Sequence, residues 1–182
     1  MSEYRRANIK GGTYFFTVIT HKRQKLLVCD EVRHALRTAI ETTRIQFPFQ
    51  IIAWVLLPDH LHCIWTLPEG DADYAKRWGM IKRHVSQHCR HLINDEQANT
   101  SRLKRMEFCF WQRRYWEHQI RDEADLAKHI DYIHGNPLKH GLADQVSDWP
   151  FSSFHRYVAE GVYPKNWGGS VQGEADETEF GE

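Results

Sequence analysis

Two apolar runs, Phe49 to Leu57 and His60 to Leu67, flank a Pro58-Asp59 break and constrain the fold of this chain more than any other feature. Both are rich in β-branched and aromatic residues, so they read as two strands of an antiparallel hairpin. A two-residue Pro-Asp loop is not the favoured turn chemistry for such a hairpin. The second strand opens with His60-Leu61-His62. Side chains alternate along a strand, so the two histidines share a face and Leu61 takes the other. Same-face neighbours stand roughly 6.5–7 Å apart. Two neutral imidazoles at that spacing can converge on one divalent metal. The plain alternative is two unrelated polar positions on a solvated face.

The rest of the chain supplies the frame. Gly11 to Thr20 reads as a first strand, with aromatics on both faces, as in a strand central to its sheet. Asp30 caps a helix whose apolar positions, Val32, Leu36, Ala39 and Ile40, recur to about Arg44. Asp73 to about Leu92 forms a second helix with Trp78, Ile81, Val85, Cys89 and Leu92 on one side. Asn94 to Arg105 is polar and unperiodic, which reads as a mobile loop. An extended segment then runs from Phe108 to about Ile120. Asp122 caps a third helix, striped by Leu126, Ile130 and Ile133, and Gly135-Asn136-Pro137 is expected to end it. A short helical turn to about Glu160 and a Gly-rich acidic tail follow. The order β-α-β-β-α-β-α predicts an α+β fold, a ferredoxin-like split βαβ sandwich whose antiparallel sheet carries helices on one face, with a helix and a C-terminal extension added. The first and third strands are the central pair of such a sheet, which puts His60 and His62 at its middle.

The 182 residues make one domain, assigned to 1–168, followed by an acidic and flexible tail at 169–182. No apolar run approaches the ~20 residues of a membrane span, and the polar N-terminus does not read as a signal peptide. Cys29, Cys63, Cys89 and Cys109 form no Cys-x-x-Cys pair, which argues against a zinc ribbon and fits a reducing cytoplasm. Net charge is zero but uneven. From Lys76 to Arg114 ten Lys/Arg face three acids, while Glu174 to Glu182 holds five acids and no base. This predicts a face for a polyanion and a tail able to fold over that face and slow turnover.

A metal pair needs a nucleophile to make a reaction. Tyr132, in His129-Ile130-Asp131-Tyr132-Ile133-His134-Gly135-Asn136-Pro137, is either a core residue with its hydroxyl at the rim or a phenol that attacks a phosphodiester. Asn136 follows it by one helical turn on the same face, where its amide oxygen can complete a metal site. Tyr115, followed four residues later by Gln119, is a rival nucleophile on spacing.

Pro58-Asp59-His60-Leu61-His62-Cys63-Ile64-Trp65 resembles the His-hydrophobic-His ("HUH") motif of single-tyrosine transposases. Trp111 to His118, His129 to Leu142, Tyr4-Arg5-Arg6, Gly11 to Thr17 and Trp149-Pro150-Phe151-Ser152-Ser153-Phe154 resemble the signature of REP-associated tyrosine transposases. The match runs from about residue 4 to 168. This resemblance implies a metal-dependent single-stranded DNA endonuclease and strand transferase. It implies partners in short palindromic hairpins with a flanking tetranucleotide, Mg or Mn held by His60 and His62, and a covalent 5′-phosphotyrosine at Tyr132. Insertion-sequence relatives carry a glutamine ligand where Asn136 stands, so the third ligand is open between Asn136 and His118. The resemblance also implies a bacterial, nucleoid-associated cytoplasmic protein that acts as a monomer or homodimer. Arg5, Arg6, Lys10, Lys82, Arg83, Arg113, Arg114 and Lys139 are the expected phosphate contacts. Trp65, Trp111 and Trp116 are either core residues or platforms for unpaired bases. Two other functions remain at this point: a hairpin-binding protein without cleavage, and a hydrolytic metal nuclease in which Tyr132 is structural.

Overall fold

The computed structural model describes residues 8–93, 110–168 and 180–181. Four strands form one antiparallel sheet: β1 (Thr13–Ile19), β2 (Gln50–Leu56), β3 (His60–Thr66) and β4 (Trp116–Gln119), in the order β2-β3-β1-β4. β1 and β3 are central, as the split βαβ order requires, and each is buried along most of its length. Helices α1 (Asp30–Gln46) and α2 (Tyr74–His88) cover one face. Helix α3 (Glu123–Lys139) and the chain that follows, including the short α4 (Phe154–Ala159), cover the other.

The register sorts the side chains of the central strands. β1 pairs with β3 through Phe15↔Ile64, Thr17↔His62 and Ile19↔His60, and with β4 through Phe15↔His118 and Thr17↔Trp116. The odd-numbered β1 residues and the even-numbered β3 residues therefore face α3. The alternate set, Tyr14, Phe16 and Val18 with Leu61, Cys63 and Trp65, enters the core under α1 and α2. Trp65 stacks on Trp78 of α2 with ring centroids 4.2 Å apart. Burying aromatic side chains this way contributes ~1.5–3 kcal/mol each.

Besides Asp30, which is the first residue of α1 rather than its cap, Cys29 taking the cap position, three boundaries depart from the sequence reading. The second helix stops at His88, and Arg90–Leu92 is a single 3-10 turn rather than its continuation. The fourth strand is four residues long, preceded by one isolated bridge from Trp111 to Thr20, because only Trp116 to Gln119 lie alongside β1. The third correction matters most. Helix α3 does not end at Gly135-Asn136-Pro137 but runs through Pro137 to Lys139. A proline inside a helix costs roughly 3 kcal/mol. Here the whole stretch from Ile133 to Pro137 is buried, and that packing outweighs the lost hydrogen bond. The helix ends one turn later, at Gly141 with φ +63°. The amide of Gly141 donates to Leu138 O (2.9 Å) and that of Leu142 to Pro137 O (2.9 Å), a Schellman cap that only glycine adopts without strain.

The C-terminal extension closes the β2 edge. Leu56 N donates to Phe151 O (2.8 Å) and Ser153 N to Trp54 O (2.8 Å). His134 of α3 joins this seam through Ser153 Oγ (2.9 Å), and burial holds its pKa down at about 3. Covering an edge this way removes a template for unwanted strand pairing.

Candidate active site

Both histidines of β3 face α3 and are buried, His60 at 2% and His62 at 0% exposure. Their rings stand 4.9 Å apart at 82°. In each, Nδ1 is held from behind. His60 Nδ1 meets Asp59 Oδ1 at 2.7 Å. Burial pushes the Asp59 carboxyl up, but hydrogen bonds and charge from His60 and Arg23 prevail and bring it to about 2. An ionised Asp59 accepts the Nδ1 proton and leaves Nε2 as the lone-pair nitrogen of His60. His62 Nδ1 meets Thr17 Oγ1 at 2.8 Å, and that hydroxyl donates to the carbonyl of Phe180 at 2.5 Å. With its proton so committed, Thr17 accepts from His62 Nδ1–H, and Nε2 of His62 is again the lone-pair nitrogen. Two imidazoles oriented by second partners, each with its lone pair on Nε2, are the donor set a divalent metal takes.

Continuation of α3 past Pro137 puts Asn136, Lys139 and His140 on the Tyr132 side of the chain, four, seven and eight residues after it. The Tyr132 ring lies 5.3 Å from that of His62. Lys139 Nζ donates to the Tyr132 hydroxyl at 3.2 Å and sits 5.1 Å from its ring centre. Asn136 is buried in the helix at 1% exposure. Tyr115, the rival nucleophile, packs on the opposite face of the sheet against Phe16 and Trp78. His118 also faces α3, but Phe15 lies between it and His62 in the sheet. His118 Nε2 bonds Asp125 Oδ2 (2.9 Å), and its ring stacks on His129 at 4.6 Å. His118, Asp125 and His129 gather their donor atoms within 4.8 Å of one another.

The expected DNA contacts are spread widely. Arg5 and Arg6 lie outside the described residues. Lys10, Arg83, Arg113 and Arg114 are exposed. Lys82 ties α2 to the segment before β4 by donating to Gln112 O at 2.6 Å. Lys139 is at the tyrosine. Trp65 and Trp111 are core residues, whereas Trp116 is 37% exposed on the face that carries His62.

Four participants escaped the sequence reading: Thr17 and Asp59 behind the histidines, His140 beyond the expected helix end, and Phe180. The helical spacing of residues 132, 136 and 140 would have shown His140 once Pro137 was allowed inside the helix. Phe180 had no local signal. It is 1% exposed and its ring stacks on Tyr132 at 3.6 Å and 6°.

The split sandwich thus gathers the histidine pair and Tyr132 on one face of its sheet. Residues 8–136 match the family model described as "Transposase IS200 like", and the chain belongs to that family. It is an enzyme, a transposase of the tyrosine-nucleophile class. It is similar, at 50% identity over 171 residues (94% of this chain, 93% of the relative), to the REP-associated tyrosine transposase of Escherichia coli strain K12. A Haemophilus influenzae relative is 45% identical over 174 residues, covering 93% of this chain and 95% of its own. A solved structure, "Structure of the REP associates tyrosine transposase bound to a REP hairpin", superposes with a TM-score of 0.82 at 47% identity, covering 100% of this chain and 98% of the other. Among the described residues no helix is long and apolar enough to cross a membrane.

Proposed function

We propose that this transposase cuts and rejoins single-stranded DNA beside short palindromic hairpins, with Tyr132 as nucleophile and His60 and His62 holding Mg or Mn. The observation that carries this reading is the 5.3 Å approach of the Tyr132 ring to that of His62 on the chain's own central strand. A metal bound there would polarise the scissile phosphate and offset the charge that develops on it. The protein's own groups do the rest. Tyr132 Oη bonds to phosphorus while the bond from phosphorus to the 3′-oxygen breaks. The phenolic proton is released, and the departing 3′-oxygen keeps the electron pair and takes up a proton. The product is a 5′-phosphotyrosine and a free 3′-hydroxyl, and reversal rejoins a strand without an energy source. Lys139 holds the phenolic oxygen by its 3.2 Å hydrogen bond and adds positive charge where the phosphate enters. The similarity to a structure bound to a REP hairpin supports the substrate class, and the flanking tetranucleotide follows from the same family resemblance. We place the reaction within residues 1–168 of a cytoplasmic protein that works on chromosomal DNA. Tyrosine and histidines meet within one copy, which supports a monomer acting in cis.

The test is a labelled single-stranded hairpin incubated with Mn and resolved on a denaturing gel. Wild type should give a protein–DNA adduct, and Tyr132→Phe should remove it, with cleavage falling on the order of 10³-fold or more. Cleavage that survives Tyr132→Phe would leave a hydrolytic nuclease, and binding without cleavage a hairpin-binding protein. Mixing Tyr132→Phe with His60→Ala should restore nothing if each copy acts in cis.

A further inference from the structure

The last turn of α3 brings a third imidazole to the histidine pair. The ring of His140 stands 5.1 Å from that of His60 at 72°, nearly repeating the 4.9 Å and 82° between His60 and His62. Two imidazoles that share a metal at about a right angle, through bonds of ~2.1 Å, have ring centres roughly 4.5–5 Å apart. Both ring-centre separations fall at that distance, so His60 has an imidazole within sharing reach on each side. We propose that His140 is the third protein ligand of the divalent metal. This rests on the metal-dependent reading given above.

The backbone supports the assignment. His140 is the C-cap of α3, its amide donating to Asn136 O at 3.1 Å. The Schellman bonds of Gly141 and Leu142 fix the chain immediately after it. A ligand placed by a helix end and locked by a glycine cap is set before any metal arrives. Strand and helix also run in step. Tyr132 lies against His62, and eight residues on, about two helical turns, His140 lies against His60. The nucleophile thus stands at one end of the histidine pair and the third ligand at the other. His140 is exposed, so this end of the site opens to solvent. The two ligands expected from the sequence sit differently: His118 is engaged with Asp125 and His129, and Asn136 is packed into the buried turn of the helix.

The experiment is a Mn²⁺ titration of the full chain followed by electron paramagnetic resonance, with pulsed measurement of the nitrogens coupled to the bound ion. No DNA is present, so the readout is independent of activity. Wild type should bind one ion coupled to three imidazole nitrogens. His140→Ala should leave two nitrogens and weaken binding ~10-fold or more. His140→Gln, which keeps a polar side chain at the exposed C-cap, should also leave two. Asn136→Ala and His118→Ala should leave both readouts unchanged. An unaltered nitrogen count in His140→Ala and His140→Gln overturns the assignment, as does a third nitrogen lost only in His118→Ala. Failure of the broader reading looks different: wild type binds no Mn²⁺, or His60→Ala and His62→Ala bind it as wild type does.

Discussion

The two faces of one sheet make the instructive comparison. Under α1 and α2 the central strands present Tyr14, Phe16, Val18, Leu61, Cys63 and Trp65, packed on Leu36, Trp78 and Ile81. Under α3 the same strands present Thr17, His60 and His62 among a smaller apolar set, Phe15, Ile64, Ile130 and Ile133. One backbone serves both, and alternation alone divides adjacent residues between an aromatic core and a face that carries the histidines. The imidazoles of the second face are tolerated there because His60, His62, His118 and His134 each bond a polar neighbour, Asp59, Thr17, Asp125 and Ser153 in turn. The first face fixes the sheet, and the second uses it as a rigid mount.

Substitutions can break this division. Trp65→Ala, on the stabilising face, should cost about 3–5 kcal/mol in denaturant unfolding. The residual folded protein should still bind Mn²⁺, and a selective loss of metal with little loss of stability would blur the two faces. Asp59→Asn, behind the reactive face, should do the reverse. It should weaken metal binding ~10–100-fold in a calorimetric titration while the unfolding midpoint moves little. His134 tests whether buried polar groups on the α3 side also contribute to stability. Its folded pKa of about 3 lies below the usual 6.5, so between those values the unfolded chain binds a proton that the native chain does not. Stability should therefore rise with pH across that window by up to ~1.4 kcal/mol per unit, and His134→Gln should flatten the slope. Asp59, held at about 2, adds a loss in the same direction only below pH 4. The smallest effect is expected from the tail. With Phe180 stacked on Tyr132, removing residues 170–182 should raise single-strand cleavage several-fold at saturating Mn. Unchanged cleavage and binding would mean the stack does not compete with DNA.

What could be read in the sequence follows from how local each signal is. The hairpin and the shared face of His60 and His62 are set by alternation within one strand, and Asp122 caps α3 as its residue type predicts, accepting from Asp125 N at 2.9 Å. The end of α3 was misjudged because Pro137 is a local signal overruled by tertiary burial. With that helix cut short, His140 has no defined direction, and the bond from Lys139 to Tyr132 cannot be foreseen. Thr17 lies 45 residues from His62, and only strand register brings them together. Phe180 is a lone aromatic in an acidic tail, and nothing near it in the chain announces that it meets Tyr132.

The pairing of β3 with β1 also determines which genetic changes this chain can survive. Between His60 and Trp65 every residue has an assigned side, so a single-codon insertion or deletion would leave composition almost unchanged while exchanging the two faces downstream. Imidazoles would turn into the aromatic core and Leu61 or Cys63 toward α3. Point substitutions here degrade one property at a time, whereas a one-residue length change removes folding and chemistry together. Drift in this strand should therefore proceed by replacement rather than by change of length.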